Sequence, residues 1–228
     1  MILNINKPAD ITSHDVVSRV RRITGERRVG HGGTLDPFAT GVLVVAVGRE
    51  STRKLTPLLK DVTKEYEATI ELGKTSTTGD PEGKIEKTSG IHRVQSLPLS
   101  EIEETISKFR GEIVQTPPAH SAIKIGGIRA YKLARRGILP VLEKRPVKID
   151  ALEIVKYHPP LLQIRAIVSS GTYIRKLAED IGQALGVGGY LIKLKRTRVG
   201  QYRLADSVSL ESLEKKTDNS VNEQGSVS

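Results

Sequence analysis

The chain has 228 residues, 37% of them hydrophobic, enough for a sizeable core in one large domain followed by a tail. It has no cysteine and five histidines without ligand spacing, which excludes disulfides and thiol chemistry and argues against structural zinc; with no run of about 18 apolar residues, and an opening MILNINKPAD that lacks the order of a signal peptide, a cytoplasmic protein is expected. Thirty-six Lys and Arg against 26 acids give a formal charge of +10, which points to a polyanionic partner rather than a small neutral metabolite.

Met1 to Ile5 reads as a short apolar strand, followed by Lys7-Pro8 and a turn. Thr12 or Ser13 can then cap a helix, DVVSRVRRIT, with Val16, Val17, Val20 and Ile23 on its core side and Arg19 and Arg22 on its wet side. Next comes VGHGGTLDPFATGVLVVAVG, Val29 to Gly48. Its run Val42 to Val47 suits a strand covered on both faces. The loop ahead of that strand carries His31 and Asp36, and Gly32, Gly33, Pro37 and Gly41 fix the backbone around the carboxylate. Taken alone, the loop reads equally well as a strand lead-in whose aspartate caps a turn.

Ser51 to Lys60 reads as a short helix. In KEYEATIELGK, Tyr66, Ala68, Ile70 and Leu72 alternate with Glu65, Glu67, Thr69 and Glu71, the pattern of a half-buried strand. TSTTGDPEGK is a polar turn holding Asp80. Leu99 to Gly111 is an amphipathic helix with Ser100 as its expected cap. TPPAHSAIKIGGIRAYKLARRG, within about 117–137, reads as strand, glycine turn and short basic helix, a flap-like excursion. Arg145–Tyr157 and Leu161–Ser169 are two paired strands. SSGTYIRKLAEDIGQALG starts a helix whose first turn holds Tyr173 and Arg175, off the apolar stripe and near backbone amides that favour an anion. Leu191–Leu204 is a last strand, Ser209–Lys216 a short helix, and the polar stretch from Thr217 is expected to be disordered.

Basic residues gather in three groups: Arg19 to Arg28; Lys132, Arg135 and Arg136; and Lys193, Lys195, Arg196 and Arg198. Each alone is explained by a solvated face.

Five ordered blocks carry a resemblance. KPADITSHDVVSRVRRI, VGHGGTLDPFATGVLVVAVG, KEYEATIELG with TGDPEG, PPAHSAIKIGGIRAYKLARRG, and SSGTYIRKLAEDIGQALG with LKRTRVG resemble the TruB family of tRNA pseudouridine synthases, over about residues 4–204. The resemblance implies an α+β pseudouridine synthase fold over 1–205: a central mixed, mostly antiparallel sheet flanked by helices, with an RNA-binding cleft. It also implies a cofactor-free isomerase that acts, by base flipping, on the T-loop uridine of tRNA at position 55. Asp36 matches the catalytic aspartate and Arg175 the arginine that pairs with it. Tyr66 matches the tyrosine that stacks on the uracil and serves the final proton transfer.

By the same resemblance Leu194 is an apolar neighbour of the base, Tyr173 shapes the pocket, His31 fills the space left by flipped bases, and Asp80 contacts RNA. The basic role near the substrate backbone falls to Lys54 or Arg53. Arg19, Arg22, Lys132, Arg135, Arg136 and Arg196 become RNA-backbone contacts, the flap becomes a mobile thumb, and a monomer acting on the tRNA T-arm without metal is expected. Asp10 stands where the family commonly has glycine, and the chain stops soon after the last block, without the C-terminal RNA-binding domain many members carry. The rival of another class is a non-catalytic RNA-binding or RNA-folding protein on the same fold. A phosphoryl-handling use of GHGGT lacks the lysine-hydroxyl pair a P-loop requires.

Overall fold

A computed structural model describes the chain except for Ala122, Arg135, Leu139 and residues 216–228. The expected contact at Arg135 and the expected disordered tail therefore lie outside the described residues.

Strand β1 (Ile2–Lys7) passes through a turn at Asp10 into helix α1 (Ser13–Thr24). Of the two possible caps, Thr12 takes the position: its hydroxyl accepts from the Asp15 amide while the Asp15 carboxylate accepts from the Thr12 amide. Strand β2 (Val29–Gly32) and strand β3 (Thr40–Val47) follow, so His31 sits on a strand rather than in a loop. The cause is pairing, because Val29 to Gly32 lie antiparallel to Val47 to Val44. Helix α2 (Arg49–Leu58) leads to strand β4 (Lys64–Leu72), where Tyr66, Ala68, Ile70 and Leu72 are all buried as the alternation requires.

Short strands β5 (Lys74–Ser76) and β6 (Ile85–Lys87) bracket the Asp80 turn, and a 3₁₀ helix over Ser89–Ser96 adds an element with no periodic signature in the sequence. Helix α3 (Leu99–Ser107) is entered from Pro98, not capped by Ser100, since proline's fixed φ of −74° sets up the first turn two residues earlier. Then come β7 (Gly111–Gln115), the hairpin of β8 (Lys124–Ile125) and β9 (Ile128–Arg129), α4 (Ala130–Ala134), β10 (Arg145–His158), β11 (Leu161–Val168) and α5 (Ile174–Ala184). The expected last strand is two strands, β12 (Gly189–Val199) and β13 (Tyr202–Arg203), because Gly200 at φ 53° turns the chain back so that Val199 pairs with Tyr202. Residues 210–215 are helical.

The chain forms two compact units, Met1–Lys64 with Lys195–Ser228, and Glu65–Leu194. In the first, β3 is covered on both faces. Leu43, Val45 and Val47 pack with Val16, Val17 and Val20 of α1, while Val42, Val44 and Ala46 pack with Leu55 of α2. Burying a valine or leucine side chain contributes about 1.5–3 kcal/mol, so this strand is the rigid anchor of its unit. In the second unit β4, β11, β10 and β7 stand side by side, β10 pairing antiparallel with both β11 and β7. Strands β1 and β2 pair antiparallel with β3, as do β5 with β6 and β8 with β9, while β12 meets β3 in parallel at Thr40 and Gly41.

Candidate active site

In the first unit the loop between β2 and β3 carries Asp36, half-buried between Leu35 and Ala39, which are 3% and 0% exposed. Side chains from other elements hold the loop on both sides. Ser13 Oγ, at the start of α1, accepts from the Leu35 amide at 2.9 Å and donates to the Leu35 carbonyl at 3.0 Å. Lys7 Nζ donates to the carbonyls of Pro37 (2.9 Å), Pro8 (2.8 Å) and Ile11 (2.7 Å), and the Asp10 amide also donates to Pro37 at 2.9 Å.

The Lys7 side chain is fully buried, and burial lowers its pKa to about 8 even though Asp10 and Asp36 pull it upward. Lys64 is lowered to about 8 as well, by burial and by the charge of Arg196. Lys7, Lys64 and Arg196 thus bring positive charge to this loop within one unit.

Arg196 is 1% exposed and is not the surface phosphate contact expected of it. Its Nε donates to the Val42 carbonyl at 2.8 Å and its Nη2 to the Gly33 carbonyl at 2.9 Å. Arg19 and Arg22 are exposed on α1, Arg22 within 3.6 Å of Glu214. Lys54 is exposed on α2 and paired with Glu50 one turn earlier; His31 is half-buried on β2.

In the second unit Arg175 belongs to the buried side of α5, at 4% exposure, not to its wet side. Its Nη1 donates to Asp80 Oδ2 at 3.0 Å and to the Thr78 carbonyl at 2.9 Å, and its Nη2 donates to the His120 carbonyl at 2.9 Å. Asp80, 3% exposed, is therefore committed inside the protein: besides Arg175 it accepts from the Thr78 hydroxyl at 2.5 Å and the Glu82 amide at 3.0 Å. Its burial contradicts the expected contact with RNA. A cavity of about 420 Å³ has Thr78 and His120 in its walls, so one guanidinium ties both walls together.

Tyr173 occupies the cap position of α5. Gln115, 1% exposed, grips its backbone from both sides, donating to the Tyr173 carbonyl at 3.1 Å and accepting from its amide at 2.8 Å. The Arg145 guanidinium lies 5.1 Å from the centre of the Tyr173 ring. Tyr66 and Leu194 are buried at 6% and 7% exposure, and Lys132 and Arg136 are exposed. Within this unit the fold brings Asp80 and Arg175 together, and neither Gln115 nor Arg145 carries a sequence signal that would have announced its part.

No group of three or more His, Cys, Asp or Glu among the described residues is placed to hold a metal ion, and no helix among them is long and apolar enough to cross a membrane.

Comparison with known proteins adds the following. Residues 21–174 match the model of the TruB family pseudouridylate synthase N-terminal domain, and residues 175–225 that of the tRNA pseudouridylate synthase B C-terminal domain. The chain is 48% identical over 221 residues to tRNA pseudouridine synthase B of Mycobacterium bovis (strain BCG / Pasteur 1173P2), covering 93% of this chain and 71% of that protein. The protein of the same name from Mycobacterium leprae (strain TN) is also 48% identical, with 93% and 68% covered.

Among solved structures, an archaeal box H/ACA sRNP Nop10-Cbf5 complex contains a chain 28% identical with a TM-score of 0.71, matching 98% of this chain. A Cbf5-Nop10-Gar1 complex contains one 32% identical with a TM-score of 0.72, matching 94%. This chain spans about half the length of those two, 55% and 53%.

Proposed function

The chain belongs to the TruB family of pseudouridylate synthases, and on that premise we propose that it isomerises the T-loop uridine of tRNA, position 55, to pseudouridine, with Asp36 as the catalytic carboxylate. The reaction breaks the bond between ribose and the uracil nitrogen and rejoins the base through carbon 5, which gives up its hydrogen while the freed nitrogen gains one. Nothing is oxidised or reduced, so positioned side chains suffice.

The observation that carries this reading is the loop itself. Lys7, Ser13 and Arg196 hold its backbone from three elements while the Asp36 side chain stays half-exposed. A carboxylate fixed in place beside buried positive charge needs no reorganisation when charge develops on the sugar or the base. Tyr66 offers the stacking surface for the flipped uracil, Leu194 is an apolar neighbour of the base and Tyr173 shapes its pocket, while His31 fills the space that flipped bases leave. Stacking contributes about 1–3 kcal/mol per base, which offsets the few kcal/mol that flipping costs. Arg175 joins this machinery as a buried cation held by the Thr78 and His120 carbonyls and by Asp80. The enzyme works as a cytoplasmic monomer with tRNA as its partner and no cofactor, and the exposed Arg19, Arg22, Lys132 and Arg136 meet the phosphates.

Asp36→Asn tests the reading. With an unmodified tRNA transcript, the variant should bind as the parent does and form no pseudouridine by mass spectrometry; turnover in the variant would refute the assignment. Product mapped to a uridine outside the T-loop would change the substrate site.

A further inference from the structure

Strand β3 shares its edges unevenly. Strand β1 takes Gly41 to Ala46 along one side, so the other side must serve both β12, at Thr40 and Gly41, and β2, from Val44 to Val47. Val42 lies in the interval between those two partners. The Asp36 loop leaves β2 at Gly32 and returns to β3 at Thr40, so this interval is also where the two ends of the loop come close.

Arg196 fills that interval. Its backbone stands opposite Gly41, so near that a Cβ at Gly41, where φ is 103°, would lie 2.2 Å from the Arg196 carbonyl oxygen. Its guanidinium then reaches both ends of the loop, with Nε on the Val42 carbonyl at 2.8 Å and Nη2 on the Gly33 carbonyl at 2.9 Å. A β-strand would satisfy those acceptors with backbone amides; here one planar cation does so, and only a forked side chain reaches two divergent carbonyls at once. Its near-complete burial removes it from any phosphate.

We infer that Arg196 is a positioning residue for the reaction, closing the Asp36 loop by bonding the Gly33 carbonyl at its start and the Val42 carbonyl in the strand just beyond its end rather than by touching RNA. This rests on the reading of Asp36 as the catalytic carboxylate.

The test compares Arg196→Lys and, as an independent way to disturb the same junction, Gly41→Ala. Each full-length variant is checked for a cooperative urea transition, then assayed for single-turnover pseudouridine formation at saturating tRNA and for tRNA affinity across a salt series. Misplacing a reacting group by about 1 Å costs on the order of 100-fold in rate. The expected result for Arg196→Lys is a rate loss of that order with Kd and its salt slope unchanged, Gly41→Ala behaving likewise. A weakened Kd at full saturated rate would make Arg196 an RNA contact and overturn the inference. So would parental behaviour in both assays, or failure of both variants to fold, which would make the junction a matter of stability alone. Asp36→Asn runs alongside: if it still turns over, the catalytic reading falls, and the rate of Arg196→Lys is then judged without it.

Discussion

Lys7 Nζ donates to the carbonyl of Pro37 at 2.9 Å, one residue past Asp36, and its other two donors go to Pro8 and Ile11. A buried ammonium is thus satisfied by neutral carbonyls, and its pKa falls from 10.5 to about 8. Between those two values the unfolded chain binds more protons than the folded one. The penalty for burying Lys7 in its charged form is therefore full below pH about 8 and is relieved as pH rises through that window. Each pH unit across the window corresponds to about 1.4 kcal/mol, giving an effect on the order of 3 kcal/mol. Urea unfolding of the parent and of Lys7→Met at about pH 8, 9 and 10 should show the parent gaining on the variant as pH rises. A difference that stays flat would contradict the burial argument.

Asp80 and Arg175 form an ion pair at 3.0 Å with both side chains 4% exposed. Removing one partner of such a pair leaves an uncompensated charge, at a cost of about 3–5 kcal/mol. Asp80→Asn should therefore lower the urea midpoint markedly. Lys84→Ala removes the exposed partner of Glu86 and should cost less than about 1 kcal/mol. Equal losses in the two variants would mean that the buried pair is not the stabilising contact its geometry describes.

Arg19 and Arg22 stand exposed on the outer face of α1. If each meets a phosphate, neutralising both should weaken tRNA binding and lower the slope of log affinity against log salt by about 2. The measurement is a filter-binding titration of Arg19→Ala/Arg22→Ala at several salt concentrations. An unchanged slope would remove this face from the RNA interface.

Asp10 holds φ 64°, the left-handed conformation, and its amide donates to the Pro37 carbonyl. Aspartate thus takes up the turn that glycine commonly makes at this place in the family. Since that conformation costs alanine about 1 kcal/mol more than glycine, Asp10→Gly should be more stable than Asp10→Ala by that amount in chemical denaturation. Equal stabilities would show that the backbone relaxes out of the left-handed region.

Much of the scaffold was legible because it is periodic. The alternation of Tyr66, Ala68, Ile70 and Leu72 gives β4, and the unbroken run from Val42 to Val47 gives a strand covered twice over. The restraint on the backbone of the Asp36 loop could be read from its glycines and proline. The groups that hold it could not. Lys7, Ser13 and the distant Arg196 read as surface residues, since that is where such side chains usually lie. Arg196 and Arg175 both depart from that expectation for one reason: each donates to backbone carbonyls, of Val42 and Gly33 or of Thr78 and His120, and such pairing leaves no pattern in sequence. Ser100 shows the converse, a good cap displaced by the stiffer proline two residues before it.

The hydrogen bonds from Arg196 join positions 154 and 163 residues apart, and the first unit is built from both ends of the chain. Loop closure over such separations is slow, and during synthesis its partner is not yet made. The loop bearing Asp36 leaves the ribosome well before its fastening, which arrives only when β12 does. A nascent or truncated chain ending before Arg196 therefore carries every residue of the Asp36 loop and still lacks the two hydrogen bonds that tie Gly33 and Val42 to β12.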